Sequence, residues 1–188
     1  MPDAYQIIRW LWLGIFVVWA ISGITSKRTI GSHSEWQSRA AVWVVGLAWV
    51  LLFSGGLQGP LAWRFVPMVP AAADAGLALT VAGLGLSLWA RVYVGRNWSA
   101  LVEMKQDHQL MRGGPYSIVR HPIYSGFMLA TLGTAIAYGE VHGLISFVLI
   151  LGAWGYKSRL EEAALIQQFG AEYDRYRQDV KGLIPFIW

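Results

Sequence analysis

Cysteine is absent from the 188 residues. That excludes a disulfide framework, a thiolate metal site and a cysteine nucleophile, and it leaves the redox compartment unreadable. Charge is scarce too: 14% of the residues are Asp, Glu, Lys or Arg against 55% hydrophobic ones, which is too apolar for an ordinary soluble domain and points to an integral membrane protein. Metal-ligand spacing is missing, because the four histidines His33, His108, His121 and His142 stand far apart. There is no internal repeat and no low-complexity tract. Gly83 and Gly85 lack the third glycine and the preceding strand of a dinucleotide-binding turn, so they read as small residues that let helices approach. The net charge of +4 raises the question of nucleic acid, but the basic residues flank apolar segments and are accounted for by membrane topology.

What the chain does have is long apolar runs. Residues 10–26, 40–57 and 75–90 carry no charge and approach the roughly 17 to 25 residues that cross a bilayer. Two shorter runs, 123–138 and 141–156, are joined by no more than Gly139-Glu140 and read as a tight antiparallel pair, which makes about five spans in one domain over 1–188. The first run has Arg9 ahead of it and small residues at Ala20 and Ser22, as a signal peptide would, yet Trp10, Trp12, Phe16 and Trp19 suit a retained anchor better. Lys27, Arg28, Arg39, Arg91, Arg96, Lys105, Arg112, Arg120, Lys157, Arg159, Arg175, Arg177 and Lys181 then fall on one side, against Arg9 and Arg64 on the other. The positive-inside bias places the N-terminus outside and the C-terminus in the cytosol.

Polar chemistry crowds into residues 113–126, between two apolar runs. Gly113, Gly114 and Pro115 form a turn, Pro122 suits the first position of a helix, and His121 then becomes its cap. Such a helix start beside Arg120 and His121 can receive a carboxylate or phosphate. A plain basic loop next to a membrane is the competing reading. In the tail, Glu162, Leu165, Phe169, Tyr173, Tyr176 and Val180 recur at helical spacing, so a carboxylate shares an otherwise apolar stripe. Arg159, three residues before Glu162, is placed to pair with it, either as a structural ion pair or as part of a site. Gly170 divides the tail into two helices, the second, 172–180, lying along the membrane surface.

An ordered set of residues here resembles the isoprenylcysteine carboxyl methyltransferase family and its phospholipid methyltransferase relatives. It comprises Gly95-Arg96-Asn97-Trp98-Ser99, His108, Leu110, Gly114-Pro115-Tyr116, Arg120-His121-Pro122, Tyr124-Ser125-Gly126, Glu161-Glu162, Leu165, Phe169-Gly170, Tyr173, Tyr176 and Pro185, within 95–185. The resemblance implies an all-α, polytopic membrane enzyme whose cytosolic loop and C-terminal amphipathic helices form a pocket for S-adenosylmethionine (SAM). It implies that Tyr116, Arg120, His121, Pro122, Tyr124 and Glu161 line that pocket, with Glu103 and His108 as additions. Arg159 and Glu162 would stand beside a lipophilic acceptor entering from the bilayer, an isoprenylcysteine carboxylate or a lipid headgroup. The residues suit such a cofactor: a helix start for its carboxylate, and aromatic faces or carboxylates for its sulfonium. Methyl transfer is an in-line displacement that needs no metal; a carboxylate acceptor needs no base, whereas an amine or hydroxyl could use Glu162. The Asn-Pro common after the fourth span in the eukaryotic enzymes is replaced by Glu140-Val141. Two other readings remain: an NADPH-dependent sterol reductase-like oxidoreductase, against which the Glu161-Glu162 pair argues, and a non-catalytic lipid-binding membrane protein.

Overall fold

The computed structural model describes residues 3–24, 29–32, 35–95, 103–105 and 110–187. Six helices dominate them: α1 (Ala4–Ile24), α2 (Glu35–Leu52), α3 (Pro70–Val94), α4 (Pro122–Tyr138), α5 (Val141–Phe169) and α6 (Ala171–Asp179). The all-α expectation therefore holds, with one small addition. Strands β1 (Thr29–Ser32) and β2 (Glu103–Lys105) pair antiparallel, setting Ser32 opposite Glu103.

Among the described residues, two helices are long and apolar enough to cross a membrane, over Ala4–Ser22 and Pro70–Val94, and Trp36–Leu52 is a shorter apolar helix. The first span begins earlier than the uncharged run because a first turn tolerates polar residues, and α2 is shifted the same way, ending at Leu52 before the Gly55-Gly56 break. The larger difference is α5. It does not stop at Tyr156, where the apolar run ends, but continues through Lys157 to Phe169, because Leu160, Glu161, Glu162, Ala163, Ala164 and Leu165 are good helix formers. Gly170, with φ of 52°, ends it as expected and opens α6. The two-residue connection between α4 and α5 is also as expected; Gly139 is left-handed, with φ of 69°, and a Cβ there would come within 2.7 Å of the carbonyl of Val66.

The aromatic side of α6 packs inward: Tyr173 and Tyr176 are buried in the protein, and the Tyr176 hydroxyl donates to the carbonyl of Tyr116 at 2.5 Å.

α3 and α4 form the tightest contact. Gly76, Thr80, Gly83 and Ser87 line one side, with Gly126, Ala130, Gly133 and Ala137 facing them in antiparallel order. Small residues let the two backbones meet, and hydroxyls complete the seam. Thr80 Oγ1 lies 3.1 Å from Thr134 Oγ1, which accepts the Trp12 indole N–H at 2.9 Å, while Ser87 Oγ donates to the carbonyl of Ile123 at 3.0 Å. This last bond anchors the start of α4 to α3. Around the seam Trp12, Phe16, Trp49, Phe127 and Trp154 form a continuous aromatic core.

The two glycines of α3 separate here. A Cβ on Gly83 would lie 2.4 Å from the backbone nitrogen of Ala130, whereas one on Gly85 would meet nothing within 4 Å. The close-packing expectation thus holds for Gly83 and not for Gly85, which faces outward. Gly83→Ala is expected to destabilise the detergent-solubilised protein by about 1 to 3 kcal/mol through overpacking, while Gly85→Ala leaves the thermal midpoint unchanged or raises it. Paired thermal melts followed by circular dichroism check this, and equal midpoints for the two variants would show that the seam is not tight.

Candidate functional site

The site assembles where the loop before α4 meets the polar end of α5. A 3-10 turn spans Gly114–Ser117 with Pro115 near its start, and His121 then stands at the N-cap position of α4 ahead of Pro122, as the sequence predicts. Tyr93 shapes the turn from the α3 side. A Cβ on Gly114, whose φ is 56°, would sit 2.7 Å from its ring, so glycine is required for the close approach as well as the conformation. The C-terminal segment holds the loop from the other side: the N–H groups of Arg120 and His121 donate to the carbonyls of Lys181 and Gly182 at 2.8 and 3.0 Å, and Ser125 Oγ donates to that of Leu183 at 2.5 Å.

Onto this frame five ionisable side chains converge with Tyr124. Arg120 donates to Glu162 Oε1 from Nε at 3.0 Å and from Nη2 at 2.5 Å, and it caps the carbonyls of Arg177 and Val180 at the end of α6. His121 bridges both acids, with Nε2 at 3.2 Å from Glu162 Oε1 and Nδ1 at 3.3 Å from Glu161 Oε2. The Tyr124 hydroxyl donates to Glu161 Oε1. Lys157 Nζ, 1% exposed, donates to the same carboxylate oxygen at 2.8 Å and to the Tyr124 oxygen at 2.7 Å. The rings stack in order: His121 on Tyr124 at 5.7 Å, and Tyr124 on Trp154 at 4.4 Å, both within 8° of parallel.

Electrostatics follow from the pairing. Burial disfavours a charged imidazole at His121, but hydrogen bonds to Glu161 and Glu162 and their negative charge outweigh it and raise its pKa. Burial likewise opposes ionisation of the two acids. For Glu161 the Lys157 ammonium and His121 prevail, and for Glu162 the bonds from His121 and Arg120 do, so both are held down to about 2. Both acids are therefore anions at any physiological pH.

Of the residues singled out in the sequence, Arg120, His121, Pro122, Tyr124, Glu161 and Glu162 come together. Tyr116 lies in the adjoining turn, where burial first and the Glu161 charge next raise its phenol pKa. Glu103 is placed only by its backbone on β2, and His108 lies outside the described residues. Arg159 is not where helical spacing put it. It is exposed, and Glu162 turns instead to Arg120, 42 residues away in sequence. A fork of two guanidinium N–H groups plus an imidazole is a better partner than one arginine along the same helix, where exposed pairs contribute little. Lys157 and Trp154 are additions. Lys157 stands four residues before Glu161, which is an ion-pair spacing, but sequence counting enters it only among the basic residues flanking the last span.

Comparison with known proteins fits this picture. A family model described as phospholipid methyltransferase matches residues 72–172. A protein-S-isoprenylcysteine O-methyltransferase of Schizosaccharomyces pombe is 39% identical over 103 residues, 52% of this chain and 43% of that protein. A probable protein-S-isoprenylcysteine O-methyltransferase of Oryza sativa subsp. indica is 33% identical over 117 residues, 60% of each. The chain thus spans roughly half the length of these curated relatives. In three dimensions it is similar to a eukaryotic intramembrane Ras methyltransferase, isoprenylcysteine carboxyl methyltransferase, with a TM-score of 0.55 and 27% identity over 84% of this chain and 55% of that one. Together with the apolar helices, that likeness makes the chain a membrane protein. Since the match runs from the first turn of α3 to the first turn of α6 and takes in every side chain of the charged cluster, the chain belongs to the phospholipid methyltransferase family.

Proposed function

We propose that the protein is a membrane-embedded, SAM-dependent methyltransferase acting on the carboxylate of an isoprenylcysteine-like acceptor. The observation that carries the reading is the cluster itself: two anionic carboxylates, the histidine that bridges them and a stack of aromatic rings gathered at the start of α4. Carboxylates and aromatic faces are the groups that receive a sulfonium. Tyr116, Arg120, His121, Pro122, Tyr124 and Glu161 would hold SAM, with Glu103 and His108 nearby, and the cofactor would supply a methyl group on cationic sulfur. The protein's own task is to orient the acceptor and keep water out.

A carboxylate acceptor is favoured over an amine or hydroxyl because Glu162, with its pKa held near 2, is too weak a base to take a proton near neutrality. Its part is then to position Arg120 and His121. Arg159 continues the α5 stripe of Gly152 and Tyr156, which walls an apolar groove of about 380 Å³ against α2, and we place it at the acceptor side, at the rim. The replacement of Asn-Pro by Glu140-Val141 bears little on this chemistry. It lies at the far end of α4 from His121, about 25 Å away at 1.5 Å per residue, and Glu140 is engaged there by Arg64 and His142. The names of the relatives support O-methylation of isoprenylcysteine. The five-span arrangement with the loop in the cytosol belongs to the same reading.

Calorimetric titration of the purified protein with SAM, S-adenosylhomocysteine (SAH) and NADPH is expected to give binding of the first two and none of the third. Binding of NADPH alone would return the protein to the reductase-like reading, and no binding at all to that of a lipid-binding protein.

Replacement of Glu162 by Gln should retain cofactor binding and lower turnover on a farnesylcysteine acceptor by about 10²-fold, as for a lost positioning group. Arg159→Gln is expected to raise the acceptor KM. Wild-type kinetics in both variants would reduce these residues to structural roles.

Topology is testable because the chain has no cysteine. In sealed right-side-out vesicles an impermeant thiol reagent should label Gln58→Cys and spare Gln178→Cys. The opposite pattern would invert the orientation.

A further inference from the structure

Lys157 is the one member of the cluster that neither the sequence pattern nor the proposed chemistry assigns. Its ammonium is 1% exposed, a costly position for a charge, and that cost is offset by Glu161 Oε1 at 2.8 Å and the Tyr124 oxygen at 2.7 Å. It also lies 5.9 Å from the Trp154 ring. Around Glu161 the charges balance in a particular way: Arg120 and Lys157 offset Glu162 and Glu161, and His121, which faces Glu161, Glu162, Arg120 and Tyr124, supplies the surplus positive charge when protonated. Without Lys157 one buried carboxylate would lack its ammonium.

We propose that Lys157 is the internal counter-ion of Glu161 and, acting through that carboxylate, sets how strongly the site prefers a cationic sulfonium to the neutral thioether it becomes. The proposal rests on the reading of Glu161 as a cofactor-side residue. In methyl transfer to a carboxylate, an electron pair on the acceptor oxygen forms the new C–O bond while the pair of the breaking S–C bond returns to sulfur. A cation and an anion become two neutral molecules. A bare carboxylate beside the sulfur would stabilise the sulfonium of the bound reactant more than the transition state, in which the positive charge on sulfur is already fading, and so would tighten cofactor binding while slowing the reaction. Lys157 prevents this by neutralising Glu161. It is a positioning and specificity-determining residue that touches neither reactant.

The test uses the full chain in detergent and compares wild type with Lys157→Met, Glu161→Gln and the double variant. Calorimetry should show the ratio of SAM to SAH affinity rising about tenfold in Lys157→Met and falling by a similar factor in Glu161→Gln, as expected for a charge a few ångströms away. In the double variant the ratio should return to within about twofold of wild type, because the pair is removed together. Lys157→Met should lower the KM for SAM together with kcat, a split that loss of packing alone does not produce. In the cofactor-free protein, NMR titration of His121 should move to higher pH in Lys157→Met, since a neighbouring positive charge has gone. Equal changes in SAM and SAH affinity, or an unmoved His121 titration, overturn the proposal. Should wild type bind neither ligand, the methyltransferase reading fails while the His121 titration still decides whether Lys157 and Glu161 are coupled. Should Lys157→Met not fold, the direction of the Glu161→Gln ratio decides.

Discussion

The close approach of α3 and α4 is the constraint on which the site depends. With Gly83 against Ala130 and Gly133 against the carbonyl of Gly76, the helices can sit in only one register, and Ser87 fixes the first turn of α4 through the carbonyl of Ile123. His121 and Tyr124 extend from that turn. Their positions are therefore set by a seam of small residues in the apolar interior rather than by the loop that carries them, and the loop only has to close. It does so against Tyr93 on one side and residues 181–183 on the other.

Three stretches of the chain contribute to the charged cluster: the loop running into α4, α5 and the end of α6. No one segment balances its own charge there. Arg120 satisfies Glu162 and the free carbonyls of α6 together, so the guanidinium both completes the cluster and ends a helix. Lys157 and His121 divide Glu161 between them. A group lost from such a network leaves its partners buried and unsatisfied, which couples the members' contributions to stability and to binding.

Much of this was legible in the sequence because the signals are local. The turn at Gly113-Gly114-Pro115, the helix start at Pro122, the tight α4–α5 connection at Gly139-Glu140 and the break at Gly170 each follow from backbone chemistry within a few residues. The grouping of His121, Tyr124, Glu161 and Glu162 came through the resemblance of an ordered motif, which already encodes a fold. What failed, failed where a distant partner outcompeted a near one. Helical spacing offers Arg159 to Glu162, yet Arg120 arrives from across the fold with better geometry. The sequence reads the apolar run to Tyr156 and the helical tail as separate segments, and their union in one α5 is not legible from hydrophobicity, although a polar stretch without breakers continues the same hydrogen-bonding. Lys157 enters the sequence reading only as one of the basic residues that set topology, since nothing along the chain shows that it is enclosed.

The continuity of α5 has a geometric meaning. Its apolar portion and its two acids belong to one unbroken helix, so Glu161 stands five residues beyond Tyr156, or about 7.5 Å at 1.5 Å per residue. On the five-span arrangement proposed above, in which the apolar portion of α5 lies in the membrane, the rod would act as a ruler measured from the edge of the bilayer. A molecule held in the membrane by its hydrocarbon tail would have its reactive head compared with that fixed height, and tails or linkers of another length would bring the head to the wrong level. Selection among lipid-anchored molecules can in this way be made by depth, with no contact that recognises the head itself.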